Sequence, residues 1–244
     1  MIKENLGKIL STLPEGVRLV AVSKLKPTED IREAYGAGQR LFGENYATEL
    51  RDKYNMLCNT SADPLHDMEW HFIGHLQSKQ LKYYIPFVSL IHGVDSLDHL
   101  ADVDAAAAKV GRTVDVLLQV HVAQEETKFG FAPEELEQLL TPDSSLLTTT
   151  NARVCGLMAM ASNTPDTNRV RDDFRRVRRL FESLKAGPFA DRPEFRELSM
   201  GMSHDYRIAV DEGSTLVRIG SSIFGPRNYP AHGPAHGPAH SPDR

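Results

Sequence analysis

The amino-acid sequence predicts an α/β protein built as a single (β/α)8 TIM barrel. Eight short apolar segments alternate with stretches of helical periodicity along most of its 244 residues. That length is usual for one barrel of this kind. A doubly wound sheet would show fewer strands and a Gly-rich turn after the first, and the sequence contains no GxGxxG motif.

The apolar segments indicate buried strands, because each is short and most end at Gly, Ser or Pro. In chain order they cover 18–24, 40–45, 69–74, 88–96, 114–122, 152–161, 195–203 and 215–222. Several of the helical stretches between them open with Asp, Ser, Thr or Pro, and three close on Gly, as helix ends do. The predicted helices cover 28–38, 46–57, 76–84, 97–111, 133–140, 166–185 and 205–213.

The two ends of the chain depart from this alternation. Residues 1–16 predict an amphipathic helix packed on the base or side of the barrel. Its apolar face would contain Ile2, Leu6, Ile9, Leu10 and Leu13. Residues 228–244 repeat the triplet PAH, and such a segment predicts a flexible tail because it cannot build a core. We therefore assign residues 1–227 to the barrel and residues 228–244 to the tail.

Composition and charge exclude several classes of protein. The net charge is −5 and the pI about 6.1, so no overall positive field attracts nucleic acid or anionic membranes. Cys58 and Cys155 lack metal-binding spacing, which predicts free thiols rather than a disulfide or a zinc site. No apolar run approaches the ~18 residues of a spanning helix, and the first residues lack the apolar segment of a signal peptide. We expect a cytoplasmic protein.

In a TIM barrel, function lies at the carboxyl ends of the strands, where the following loops meet. Lys24 ends the first strand. It is either a solvated loop lysine or an amine with a lowered pKa for Schiff-base chemistry, and its place at the strand end favours the amine. Lys26 fits a loop charge that could help to lower the pKa of Lys24.

Arg218 lies between apolar residues near the end of the eighth strand, and a buried guanidinium needs a partner. That partner is either a core carboxylate or a ligand. Barrel closure would bring the eighth strand beside the first, and so Arg218 near Lys24. Gly220, Ser221 and Ser203 would then offer amides and hydroxyls to a phosphate.

A lysine amine beside a phosphate site suits a phosphorylated aldehyde, for which pyridoxal 5'-phosphate (PLP) is the leading candidate. A phosphosugar aldolase would use similar groups, although its lysine usually lies on a later strand. Asn45 and His71 could contact a ring substituent or satisfy backbone groups. Lys128 is a second candidate cation at the mouth, although an exposed loop lysine is the default.

Six blocks of sequence carry a resemblance to a known family. They are AVSKLKP (21–27), FGENYATE (42–49), WHFIGHLQS (70–78), GLM (156–158), LSMGMSHD (198–205) and GSTLVRIGSSIFG (213–225). In this order they resemble the YggS/PROSC family of pyridoxal phosphate homeostasis proteins, along nearly the whole chain except the tail. The chain departs from the family pattern at Lys79-Gln80, where Asn-Lys is usual, and at Gly93, where Ser is usual.

The resemblance implies a barrel of the alanine racemase type with PLP bound as an internal aldimine on Lys24. It also implies that Arg218 faces the pyridine nitrogen and that Asn45 lies near the ring. The implied phosphate contacts are Ser203, the Met200 backbone, Gly220 and Ser221.

The function implied is intracellular PLP homeostasis, as a carrier or regulator with little or no catalysis. A permanently charged Arg218 beside the pyridine nitrogen disfavours protonation of that nitrogen, which weakens the ring as an electron sink. The alternative is an amino-acid racemase, which needs a second acid or base. In alanine racemases that group is a tyrosine of an additional β domain. Here Tyr46, Tyr83 or Tyr206 could in principle replace it, and the sequence gives no reason to choose among them.

The expected partners are PLP and PLP-dependent apoenzymes, and we expect a monomer without a metal. A third hypothesis is a nucleic-acid or protein-interaction module that uses the arginine-rich stretch 175–179. Its arginines interleave with apolar residues, so the solvated face of an amphipathic helix is favoured over a nucleic-acid site.

Overall fold

The computed structural model describes residues 1–61, 63–124, 129–140, 144 and 147–226. Its parallel strands, in chain order, are β1 (Arg18–Val22), β2 (Leu41–Glu44), β3 (Glu69–Phe72), β4 (Leu90–Val94), β5 (Val114–Val120), β6 (Ala152–Ala159), β7 (Glu197–Ser199) and β8 (Leu216–Ile219). Each strand pairs with the next, and β8 pairs with β1, which closes the barrel. The predicted TIM barrel is confirmed.

The helices are α1 (Ile2–Leu10), α2 (Thr28–Gly36), α3 (Ala47–Leu57), α4 (Leu97–Lys109), α5 (Pro133–Leu139), α6 (Thr167–Ala186), α7 (Tyr206–Asp211) and α8 (Ser221–Phe224). Polar side chains begin two of them: Ser96 accepts the His99 amide at α4, and Asp166 accepts the Asn168 amide at α6. A 3-10 helix, Ser78–Tyr83, replaces the helix predicted over 76–84.

All eight strands lie inside the predicted segments and are shorter than predicted, because those segments included turn residues at one or both ends. The largest difference is at the seventh segment, 195–203, where the strand covers Glu197–Ser199 alone. The last segment, 215–222, also differs. The strand ends at Ile219 and Ser221 already begins α8.

The barrel interior combines an apolar layer with polar groups. The apolar layer consists of Val20, Leu90, Leu117, Cys155, Met158 and Leu216. Because alternate residues of a strand share a face, Arg218 faces the same interior as Leu216. The pairing of β1 with β8 sets Val20 opposite Arg218. The interior therefore carries a guanidinium close to the carboxyl ends of the strands.

Helix α1 covers one side of the barrel, where it packs against α2 and α8. Ile2, Leu6 and Ile9 are buried as expected, whereas Leu10 is 43% exposed. The expected place of Leu10 on the apolar face was wrong, because Leu10 lies one residue after the buried Ile9, which turns its side chain about 100° away from that face. The tail over 228–244 lies outside the described residues.

Candidate functional site

Lys24 lies two residues after Val22, the last residue of β1, at the carboxyl end of the barrel, and it is half-buried. The next residue, Leu25, has a φ of 59°, in the left-handed region that non-glycine residues rarely adopt. The Lys26 amide donates to the Ser23 carbonyl at 3.1 Å, so these four residues form a tight turn. The candidate amine lies on a turn of defined shape.

A buried polar cluster holds this turn. Ser23 Oγ donates to Glu44 Oε1 at 2.6 Å. Lys53 Nζ, from α3, donates to the Ser23 carbonyl at 2.7 Å, to Glu44 Oε1 at 2.8 Å and to Glu49 Oε1 at 2.6 Å. The Leu25 amide donates to Glu49 Oε1 at 2.7 Å. One ammonium group and two carboxylates therefore fix the backbone on both sides of the candidate lysine.

Glu44 is the deepest member of this cluster. Burial raises its pKa to about 7, although the nearby Lys53 ammonium acts in the opposite direction. Its Oε2 has no hydrogen-bond partner among the described residues. Sequence analysis missed the cluster, because Glu49 and Lys53 have the i, i+4 spacing of an ordinary pair on a helix surface. Only the packing of α3 against β1 and β2 buries the pair.

The Lys26 ammonium has a structural role that the sequence did not predict. It donates to the carbonyl oxygens of Phe224 at 2.8 Å and Pro226 at 2.7 Å. These carbonyls lie at the end of α8, where a lysine satisfies free backbone acceptors. The expected loop charge is therefore a link between the turn after β1 and the segment after β8.

Arg218 is buried in the barrel interior and bonded to protein oxygens. Its Nη1 donates to Ser199 Oγ at 2.6 Å and to the Ser199 carbonyl at 2.9 Å, and its Nη2 donates to the Ala159 carbonyl at 3.1 Å. Burial lowers its pKa to about 10, so it stays a cation at neutral pH. Within the described ranges no carboxylate pairs with it, so the expectation of a core salt bridge is not met and the ligand interpretation remains.

The loop after β7 and the start of α8 meet at the barrel mouth. Ser221 Oγ donates to Ser203 Oγ at 3.3 Å, so these two candidate residues lie side by side. Gly220 is buried beside the end of β1, and a Cβ at this position would lie 3.0 Å from the Val22 carbonyl oxygen. Glycine lets the two strand ends approach closely.

Met200 differs from its expected role. It is fully buried, and its amide already donates to the Leu216 carbonyl at 3.1 Å and to Ser214 Oγ at 3.3 Å. One amide carries one hydrogen, so none is left for a phosphate. The expected backbone contact from Met200 is therefore unsupported, and the residue packs behind the loop that carries Ser203.

Asn45 follows β2 at the same end of the barrel. Its Oδ1 is buried and accepts no hydrogen bond from any described residue. The backbone is tightly packed here, since a Cβ on Gly74 would lie 2.1 Å from the Asn45 carbonyl oxygen. A buried amide oxygen without a donor costs about 1–3 kcal/mol, so this atom fits a site that a ligand donor completes.

Other candidates lie elsewhere. His71 is buried inside the barrel, where its Nδ1 lies 3.0 Å from His92 Nε2, so it contacts neither a mouth ligand nor a backbone group there. Lys128 lies outside the described residues. Tyr46 is exposed, Tyr83 packs against cations of Arg51 and Lys82, and Tyr206 bonds to Thr12. This geometry singles out none of the three tyrosines as a second acid or base.

The arginine-rich face of α6 is paired with acidic residues. Arg171 Nη1 lies 2.8 Å and Arg175 Nη2 lies 3.0 Å from Glu212 Oε1, just after α7. Arg176 and Arg178 face Glu134 and Glu182. The predicted amphipathic helix is confirmed, and its positive charge is largely compensated locally.

The family model of the alanine racemase N-terminal domain matches residues 1–228. The pyridoxal phosphate homeostasis protein of Aquifex aeolicus is 39% identical over 212 residues, which cover 87% of this chain and 88% of that protein. This chain belongs to the pyridoxal phosphate homeostasis protein family. The resemblance predicted from the six sequence blocks is confirmed.

Solved structures agree with this membership in the pyridoxal phosphate homeostasis protein family. PipY of Synechococcus elongatus with PLP bound matches at a TM-score of 0.80 and 35% identity, covering 92% of this chain and 100% of that one. Alanine racemase of E. faecalis matches at 0.69 and 18% identity, covering 95% of this chain and 60% of the racemase. The second likeness concerns the fold alone.

Two further findings describe this family member. In the part of the chain that the structure describes, no group of three or more His, Cys, Asp or Glu side chains is arranged to hold a metal ion. No described helix is long and apolar enough to cross a membrane.

Proposed function

We propose that this protein binds PLP through Lys24 and acts in intracellular PLP homeostasis, as a carrier or regulator with little or no catalysis. One observation carries the proposal. The β1–β8 pairing sets Val20 of β1, the strand that leads to Lys24, opposite Arg218, a buried cation bonded to neutral oxygens alone among the described residues. Its relatives named for PLP homeostasis and the PLP-bound PipY support the same cofactor.

Different residues at the barrel mouth bind different groups of PLP. Lys24 supplies the amine for the aldehyde carbon, and the Asn45 amide oxygen accepts a hydrogen bond from a ring donor. Ser203, Gly220 and Ser221 would hold the phosphate, and the Ser203 and Ser221 hydroxyl oxygens lie 3.3 Å apart. Met200 supports this corner from the core. Arg218 faces the pyridine nitrogen.

The charge of Arg218 favours a carrier or regulator over a catalyst. PLP supplies an electron sink for reactions at amino-acid carbons when its ring nitrogen is protonated. A guanidinium that stays charged keeps that nitrogen unprotonated, because two cations at contact distance repel each other. The buried bonds to Ser199 and Ala159 prevent Arg218 from turning away. The protein therefore holds PLP without strongly activating it.

Covalent trapping tests the cofactor and its attachment. Purified protein incubated with PLP should absorb at the imine band, and borohydride should fix PLP to the peptide that contains Lys24, as mass spectrometry shows. Lys24→Ala should lose both signals, whereas Lys79→Ala, which removes an exposed lysine of the 3-10 helix, should keep them. An unmodified Lys24 after reduction of the wild-type protein overturns the assignment.

An activity panel separates the carrier from the racemase. Chiral chromatography of each amino acid after incubation with the PLP-loaded protein should show no interconversion of enantiomers. Racemisation that disappears in Lys24→Ala would instead establish the alternative, an amino-acid racemase.

The partners proposed are PLP-dependent apoenzymes, and the proposed state is a cytoplasmic monomer. The free thiols of Cys58 and Cys155 are consistent with a reducing compartment. Mixing the PLP-loaded protein with an apoenzyme should restore the activity of that enzyme while the imine band of the donor falls. Light scattering should give a mass near 27.2 kDa.

A further inference from the structure

Four polar side chains form a continuous chain through the barrel interior. Arg218 Nη1 donates to Ser199 Oγ at 2.6 Å, Ser199 Oγ lies 3.0 Å from His92 Nδ1, and His92 Nε2 lies 3.0 Å from His71 Nδ1. All four residues are buried. They come from β8, β7, β4 and β3, and the link from Ser199 on β7 to His92 on β4 crosses the barrel interior.

We propose that Ser199 and His92 are positioning residues for Arg218. Together with His71 they form a hydrogen-bond relay, in which the Arg218 guanidinium, a donor only, determines which atom of each following pair donates. The inference rests on the proposed role of Arg218 at the pyridine nitrogen. The relay adds that hydrogen bonds in the barrel core orient the Arg218 guanidinium.

The direction of the relay follows from donor and acceptor chemistry. A guanidinium has donors only, so the Ser199 oxygen must accept from Arg218. The Ser199 hydroxyl hydrogen then needs an acceptor, and among the described residues only His92 Nδ1 is within reach. His92 must therefore carry its hydrogen on Nε2 and donate it to His71 Nδ1. His71 in turn must carry its hydrogen on Nε2.

Both imidazoles need to be neutral for this arrangement, and their surroundings favour the neutral form. Burial lowers the pKa of His71 to about 3 and that of His92 well below its usual value. The charges of Arg18 and Arg218 act on His92 in the same direction, and Arg18 also acts on His71. A neutral His92 with a free lone pair on Nδ1 is the form that the Ser199 hydroxyl requires.

The relay leads to the opposite end of the barrel. His71 lines a cavity of about 490 Å³ at the amino ends of the strands, together with Arg18, Asp115, Arg153, Cys155 and Glu197. His71, at one end of the relay, thus borders a charged cavity. Arg218, at the other end, is the cation proposed to face the cofactor.

Nitrogen NMR of the protein without PLP tests the donor direction directly. Long-range ¹H–¹⁵N spectra distinguish the two neutral tautomers and the imidazolium of each histidine. We expect His71 and His92 to be neutral with the hydrogen on Nε2 from pH 7.5 down to pH 5.5. A hydrogen on Nδ1 of His92, or a charged His92 in this range, overturns the proposal whether or not the protein binds PLP.

Variants test the coupling to Arg218. Arg218→Met removes the guanidinium that donates to Ser199, and Ser199→Ala removes the hydroxyl that donates to His92 Nδ1. In both variants the ¹⁵N spectrum of His92 should therefore change to that of a mixture of tautomers. Ser214→Ala is the matched control, since it removes another buried hydroxyl between β7 and β8 that does not touch Arg218. An unchanged His92 tautomer in both test variants, with the fold intact by circular dichroism, contradicts the relay.

The cofactor gives a separate readout. Ser199→Ala should raise the Kd for PLP about three- to tenfold and shift the pH at which the imine band titrates, since Arg218 loses one of its three acceptors. Ser199→Thr keeps a hydroxyl and should restore most of the affinity. Trapping at Lys24 should persist in all of these variants. Loss of trapping in the wild type refutes the proposed function, whereas unchanged PLP binding in Ser199→Ala refutes only the relay.

Discussion

Lys53 is a buried ammonium that two carboxylates share, and it also bonds to the backbone beside Lys24. Such a group stabilises a protein only while its partners are present, because an unpaired charge in the core is costly. The cluster also offsets the strain at Leu25, whose left-handed backbone costs about 1–2 kcal/mol. The turn that carries the candidate amine therefore depends on residues that never contact a ligand.

Lys53→Met should lower the free energy of unfolding by about 3–5 kcal/mol, because Glu44 and Glu49 lose their counter-ion. Urea denaturation measures this loss. Lys109→Met at the exposed end of α4 is the control and should change stability by less than about 0.5 kcal/mol. A loss below about 1 kcal/mol for Lys53→Met would show that the cluster does not hold the turn.

Glu44→Gln should change how stability depends on pH. The folded pKa of Glu44, about 7, lies above its ordinary value of 4.5. Stability from this group is thus complete below about pH 4.5 and is lost as the pH rises through about 7. Relative to the wild type, the variant should gain stability between pH 5 and pH 8, on the order of 2–3 kcal/mol in urea unfolding. A difference that does not vary with pH contradicts the raised pKa.

The location of candidate residues was predictable where strand order alone decides it. The rule that the carboxyl ends of barrel strands meet places Lys24, Arg218, Ser203 and Ser221 near one end of the barrel, and their contacts with PLP stay a prediction. Lys53 and the pair His71–His92 were not predictable, because their burial depends on contacts between distant segments. The Met200 amide was also beyond sequence analysis, since its hydrogen bond depends on the register of β7 against β8.

At the scale of elements, periodicity and cap residues located nearly every helix and strand. The exception is the end of the barrel, where an apolar run suggested strand up to 222 and a helix begins at Ser221. A four-residue helix has too few residues for a periodic signal. Its position is instead fixed by Lys26, which bonds to carbonyls at its end from across the closed sheet.

Helix α6 gives a prediction about its two faces. Phe174→Ala should lower the free energy of unfolding by about 3–5 kcal/mol, because this ring is fully buried in the core. Arg175→Ala on the exposed face should cost less than about 1 kcal/mol. Thermal and urea unfolding compare the two. If Arg175→Ala were the more damaging change, the assignment of the arginines to a solvated face would be wrong.

At the scale of the whole molecule, the interior polar chain makes stability depend on acid. His71 and His92 have folded pKa values below their ordinary value of 6.5, so below pH 6.5 the unfolded chain binds more protons than the folded one. The free energy of unfolding should therefore fall as the pH drops, by about 1.4 kcal/mol per pH unit for each histidine. Glu44 acts in the opposite direction between pH 7 and 4.5 and offsets part of this fall.

Urea unfolding at pH 7, 6 and 5 measures this dependence. His92→Asn removes one of the two titrating groups, and its stability should fall less steeply with acid than that of the wild type. His204→Asn, at an exposed position, should leave the slope unchanged. Parallel curves for the wild type and His92→Asn would show that His92 is not held neutral in the fold.

The pairing of β8 with β1 has a consequence for synthesis on the ribosome. The strand that leads to Lys24 is among the first to be translated, but its partner β8 emerges only after seven other strands. Until then the nascent chain has an open sheet edge and lacks Arg218, Gly220 and Ser221. On the proposed function, PLP therefore binds only after translation, and every newly made molecule begins as an empty acceptor.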